Sequence, residues 1–211
     1  AGYNNVDCAE PDATPAISEV DSSDGLGPWA SGPGSTLTIT ALGDQMVPNY
    51  AYSGPSATKP PFNQKTVKRH YGFGSQCTAV GATCTAVSGV TIGGVPAAVT
   101  SWSDATVTVT VPGGVPNCPL QQQAIYQGST AQCGELVITA GNGKRSIDAV
   151  TVTIGGKRPT HVPASGSIQA AIDAAQPGDL IIVDPAAAAA GGKPASQAVH
   201  NELVIMWKPV R

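Results

Sequence analysis

Apolar and polar residues alternate along much of this chain, and glycine or proline breaks the alternation about every ten residues. That period of two is the mark of a half-buried strand. Ser35-Thr-Leu-Thr-Ile-Thr40 shows it first. Thr66–Phe73 follows as a further strand. Val90-Thr-Ile92, then Gly93-Gly94, then Ala97–Trp102 reads as a hairpin. Ser103-Asp104 makes a turn into Ala105-Thr-Val-Thr-Val-Thr-Val111, the cleanest alternation, with Val107, Val109 and Val111 on one face and threonines on the other. Gly134–Thr139 and Ser146–Ile154 close the series around a turn at Gly141-Asn-Gly143. Many short strands with such punctuation predict a mainly β fold, an immunoglobulin-like β-sandwich over residues 35–156.

The pattern stops in two places. Residues 1–34 are rich in Asp, Ser, Pro and Gly, show no sustained period, and read as an irregular entry segment or linker in which Trp29 packs on the adjoining sandwich. Residues 44–64 carry four prolines and read as a long loop inserted in the sandwich. Tyr50, Tyr52 and Phe62 lie in it. Such rings can stack on sugars, which makes them a candidate ligand surface; the favoured reading is that they pin a long loop to the domain, as ordered long loops need such anchors.

After Gly155-Gly-Lys-Arg-Pro159 the period changes. Ser167 is a good N-cap, and Ile168, Ala171, Ile172 and Ala175 fall at helical spacing, which predicts a helix over about 167–176. Pro177-Gly178 stops it. Leu180-Ile-Ile-Val183 is apolar throughout, the signature of a strand buried on both faces, and Leu203-Val-Ile-Met206 resumes such a strand after a low-complexity run at 186–199.

Composition narrows the partner classes. Charged residues are 12% of 211, about half the usual share, and a net charge of −3 leaves no basic field for a phosphate backbone. No nucleic acid is expected, and Lys65-Thr-Val-Lys-Arg-His70 reads as a solvated strand face. No segment reaches the ~20 apolar residues that span a bilayer. The chain opens at Ala1 without Met, which reads as a cleaved leader or a piece of something longer. Of five cysteines, Cys77 and Cys84 flank a small-residue turn and Cys118 and Cys133 bracket a polar loop. Disulfides 77–84 and 118–133 are expected, with Cys8 unpaired, which places the chain in an oxidising, extracytoplasmic compartment. Five reduced structural cysteines remain the alternative on spacing alone.

Two stretches carry a resemblance. Val90-Thr-Ile-Gly-Gly-Val-Pro-Ala-Ala-Val-Thr-Ser-Trp-Ser-Asp-Ala-Thr-Val-Thr-Val-Thr-Val-Pro112 resembles the middle of an IPT/TIG domain, an immunoglobulin-like module of bacterial surface proteins. Ser35–Ala41 resembles its first strand; 135–143 and Val150–Ile154 resemble its last two. Residues 44–88 are much longer than the usual link after the first strand. Gly166-Ser-Ile-Gln-Ala-Ala-Ile-Asp-Ala-Ala-Gln-Pro-Gly-Asp-Leu-Ile-Ile-Val-Asp-Pro185 resembles the N-terminal cap and first coil of right-handed parallel β-helix proteins of the pectate-lyase-like group. Those proteins usually continue with Gly, an aromatic and Glu; here 186–200 intervenes. The resemblance implies that residues 157–211 start a parallel β-helix. A coil buries its face against the next, and about three are needed for stability, so an incomplete stack implies a partner, or more chain, over Leu203, Val204, Ile205, Met206 and Trp207.

No catalytic constellation is visible. There is no Gly-x-Ser-x-Gly elbow and no phosphate-cradling glycine loop. His70, His161 and His200 are scattered without recognisable partners. Asp173, Asp179, Asp184 and Glu202 lie in the β-helix-like segment, but in the resembled group the catalytic carboxylates come from later coils. Asp12, Asp21 and Asp24 lack the calcium-loop order. No catalytic residue, metal or cofactor is therefore expected. The chain reads as a non-catalytic structural or interaction module of a secreted or surface-exposed bacterial protein that binds polysaccharide or protein. The alternatives are an accessory region of a larger secreted enzyme, such as a polysaccharide lyase or hydrolase, and a subunit of an extracellular assembly that docks through its β-helix edge.

Overall fold

Alternating Thr and Val leave one apolar face per strand, and pairing those strands puts every such face on the same side. The computed structural model describes residues 12–118, 130–146, 150–184 and 200–211. Cys8 and the run 186–199 lie outside them. Among the described residues the chain is mainly β with one helix, α1 (Ile168–Ala174). The strands are β1 (Ile17–Ser22), β2 (Trp29–Ala30), β3 (Thr36–Ala41), β4 (Gly43–Pro48), β5 (Thr66–Tyr71), β6 (Gly89–Ile92), β7 (Val95–Trp102), β8 (Thr106–Thr110), β9 (Gln132–Thr139), β10 (Val150–Ile154), β11 (Thr160–Val162) and β12 (Ile181–Val183).

Eight of them form a nearly closed sheet in the order β1-β3-β8-β7-β6-β9-β10-β2. All neighbours are antiparallel except β10 and β2. β7 turns the corner: its first residues pair with β6, its later ones with β8, and the register slips between Val99 and Ser101. A slip of this kind bends a strand and lets it pair with different neighbours along its length. Leu37, Ile39, Val107 and Val109 thereby face Val90, Ile92, Leu136, Ile138, Val152 and Ile154 in one core, joined by Phe73. Each such side chain contributes about 1.5–3 kcal/mol by leaving water. Gly93 and Gly94, at φ of 58° and 80°, make the tight β6–β7 turn that side chains would resist.

The entry segment is more ordered than its composition suggests. β1 and β2 lie in it, β1 at one end of the large sheet and β2 at the other. The bulge between Ile17 and Glu19 shifts the buried positions by one, so the period of two does not show in the sequence. Trp29 is buried and its Nε1 donates to Gly155 O at 3.1 Å.

The segment read as a long loop begins as a strand. β4 pairs with β5 from Gly43↔Tyr71 to Pro48↔Thr66, a separate hairpin whose connection spans 49–65. One face of it, with Val47 and Tyr71, packs on Ala16.

Beyond Gly156, β11 and β12 are parallel, with α1 between them in sequence. Ser167 caps α1, its Oγ accepting from Ala170 N at 3.1 Å. Arg211 N donates to Asp179 O (2.8 Å) and Ile181 N to Arg211 O (2.7 Å), the parallel bonding pattern around Leu180. Two expectations need correction here. β12 is half-buried to exposed rather than buried on both faces. Leu203–Met206 is not a strand, and Leu203 is 82% exposed.

Candidate functional site

The strongest polar cluster lies on the outer face of the β4–β5 hairpin. The register sets Asp44 opposite His70 and Met46 opposite Lys68, and side chains two apart share a face. His70 Nδ1 is 2.7 Å from Asp44 Oδ1, and its Nε2 is 2.9 Å from Asp104 Oδ1 in the β7–β8 turn. Lys68 Nζ holds the other Asp44 oxygen at 2.5 Å. Gly74 N donates to Asp104 Oδ1 at 2.9 Å, and Phe73 N to Asp104 O at 2.8 Å. Gly72 makes room: a Cβ there would overlap Asp104 Oδ1 and His70 Nε2. Asp104 and then Asp44 raise the His70 pKa above its ordinary 6.5. Lys68 and then His70 hold Asp44 below the usual carboxylate value, and His70 does the same for Asp104. Both ring nitrogens of His70 thus lie within hydrogen-bond distance of a carboxylate.

Beside it opens a cleft of about 440 Å³ lined by His70, Gly72, Gly74, Cys77, Cys84 and Asn142, among others. Cys77 and Cys84 are joined across a Cα separation of 5.9 Å, which shapes one wall. Asn142 is exposed, its Nδ2 donating to Ala13 O at 2.7 Å.

The aromatic candidates sit on the 49–65 connection. Asn49 organises it: its Nδ2 donates to Pro61 O (2.8 Å) and Gln64 O (2.7 Å), and its Oδ1 accepts from Ala51 N (3.0 Å). Ser53 N bonds Phe62 O. Polar bonds thus shape the loop. Tyr50 and Phe62 are 58% and 50% exposed, and Tyr52 is half-buried.

The second disulfide, Cys118–Cys133, has a Cα separation of 4.6 Å. Arg211 Nη1 lies 2.9 Å from Cys118 Sγ and 2.7 Å from Cys133 Sγ, so the C-terminal segment rests on it. The same segment spans α1 from end to end. Glu202 accepts from Ile168 N (2.6 Å), Gln169 N (3.2 Å) and Ser167 Oγ (2.9 Å) at the helix start. Lys208 Nζ donates to Asp173 O and Ala175 O, both at 2.7 Å, at its end. A carboxylate at the N-terminus and an ammonium at the C-terminus both suit the helix dipole. Between them Gln169 Oε1 accepts from Ile205 N and Asp173 Oδ1 from Trp207 Nε1. Leu203, Val204, Ile205, Met206 and Trp207 remain exposed.

The sequence does not show that the histidines have partners. Asp44, His70 and Asp104 are 26 and 34 residues apart and meet only through strand register and a turn. His161 Nδ1 reaches Asp184 Oδ1 at 3.0 Å, and His200 Nε2 reaches Asp184 O at 2.9 Å. Asp179 is buried, with Lys157 and Gln176 N on its carboxylate. Among the described residues no group of three or more His, Cys, Asp or Glu is placed to hold a metal ion. Nor is any described helix long and apolar enough to cross a membrane. The two disulfides are consistent with an extracellular protein. No protein family, no curated protein and no solved structure matches the chain.

Proposed function

We propose that this chain is a non-catalytic structural and docking module of a secreted or surface-exposed protein. In this reading the large sheet is an immunoglobulin-like sandwich of the IPT/TIG kind. Residues 157–211 are the capped first coil of a parallel β-helix, and a protein chain covers its open side. One observation carries the proposal: five consecutive residues, Leu203 to Trp207, lie exposed in a segment fixed along α1 by Glu202, Gln169, Asp173 and Lys208. A contiguous apolar row of this kind marks an interaction surface more often than a solvated one. Its fixed backbone lowers the ordering cost of docking. Purified chain incubated with polygalacturonate and related polysaccharides is expected to give no unsaturated products and no new reducing ends. Turnover by the isolated chain would reverse the non-catalytic assignment.

A second reading rests on Tyr50 and Phe62, whose rings stand exposed on a loop that polar bonds already hold. Both rings face solvent and can stack on polysaccharide. Affinity electrophoresis with Tyr50→Ala, Tyr52→Ala and Phe62→Ala tests it: retardation by a glycan that all three variants keep in full counts against this surface.

A further inference from the structure

The His70 cluster does more than decorate the hairpin. We infer that His70 is a pH-operated clasp that, as the imidazolium, ties the β4–β5 hairpin to the β7–β8 turn and, on losing its proton, lets that side go. The geometry requires the proton. A neutral imidazole carries one N–H and one lone pair, yet its two nitrogens face carboxylate oxygens at 2.7 and 2.9 Å. Only the imidazolium donates to both. Once neutral, one nitrogen turns a lone pair on a carboxylate, and that contact becomes repulsive.

The groups around the ring reinforce this. From β4 comes Asp44, from β5 Lys68 on the far Asp44 oxygen, and from the β7–β8 turn Asp104, which Gly74 N also holds. From the entry segment Asp12 accepts from His70 N at 2.7 Å. Lys144 Nζ donates to the Asp12 carbonyl at 2.6 Å, so deprotonation of His70 removes the one cation that lies between Asp44 and Asp104.

Both carboxylates are ionised wherever His70 titrates, because their own pKa values are lowered. The folded-state pKa of His70 is raised above 6.5, so the clasp is fully closed below 6.5 and opens as pH rises through the raised value. Each further pH unit cuts the protonated fraction about tenfold. Opening releases only the side-chain tie to the β7–β8 turn; the backbone bond from Phe73 N to Asp104 O stays. The inner face keeps Val47 and Tyr71 against Ala16, and the backbone bonds Ala13 N to His70 O and Ala16 N to Tyr71 O persist. The hairpin loosens without unfolding, from the end where Asp44 pairs with His70.

The test uses the full chain with both disulfides formed. Nitrogen-15 NMR follows the His70 ring, and hydrogen exchange, corrected for the intrinsic pH dependence, follows residues 43–71. A His70 pKa above 6.5, with hairpin protection falling through the same pH range, is expected. Asp104→Asn should lower that pKa and move the loss of protection with it. His70→Gln should remove the pH dependence while leaving residues 89–110 protected. A His70 pKa at or below 6.5, or hairpin protection that ignores pH in the parent protein, overturns the clasp.

Discussion

Arg211 places its guanidinium 2.7 Å from the sulfur of Cys133, in the second disulfide of the large sheet. The same residue hydrogen-bonds through its backbone to β12. One side chain therefore links the α1–β12 unit to the sheet, helped by Lys157 on Asp179. Burial lowers the Arg211 pKa, and the Asp179 carboxylate opposes that shift. Arg211→Met keeps the apolar stem and removes the contact. It should lower stability by about 0.5–1.5 kcal/mol, the net worth of an ordinary hydrogen bond, because a disulfide sulfur is a weak acceptor. Urea unfolding with the disulfides intact measures it, and an unchanged midpoint would show that the link is not energetic.

Glu202 gives α1 an acid-sensitive start. Its carboxylate is held below the ordinary 4.5 by the N–H groups of Ile168 and Gln169 and by the Ser167 hydroxyl. A lowered carboxylate pKa stabilises above the unfolded value and loses that effect as pH falls through the folded one. Exchange protection of residues 168–174 should hold above 4.5 and decline below it, and Glu202→Gln should remove the decline. Ser167→Ala, which deletes the cap itself, should cost about 1 kcal/mol at neutral pH.

Gly134 in β9 is a steric necessity of a different kind. A Cβ there would run into the backbone of Ile92 and Gly93 at the β6–β7 turn, and a backbone cannot give way as a flexible side chain can. Gly134→Ala should destabilise by about 1–3 kcal/mol. Gly113→Ala, with nothing near its added methyl, should stay within about 0.5 kcal/mol. Thermal melts of the two variants side by side separate packing from a general dislike of substitution.

The sheet was legible wherever threonine alternates with an aliphatic residue without interruption, as in β3 and β8, because periodicity alone assigns the inner face. The Ser167 cap and the two cysteine pairs were also local signals, and the structure has the same cap and the same pairs. β1 was hidden by its bulge, and β4 by the prolines and the long connection after it. The His70 cluster was hidden for a stronger reason. Its members come from two strands and a turn, and nothing in a linear pattern says that Asp44 lies across from His70 or that Asp104 closes the other side. Strand-like apolar runs misled at Leu203–Met206, where the segment follows a helix through side-chain bonds instead of joining a ladder.

The docking proposal is tested most directly by oxidative footprinting, because the chain carries two methionines that report on different surfaces. Met46 on the β4–β5 hairpin is 64% exposed and Met206 in the apolar row is 66% exposed. In the isolated chain the two should oxidise at similar rates. In the protein as its native source makes it, Met206 and Trp207 should be protected while Met46 still reacts. Equal oxidation of Met46 and Met206 in the native setting would contradict a covered row and, with it, the docking role.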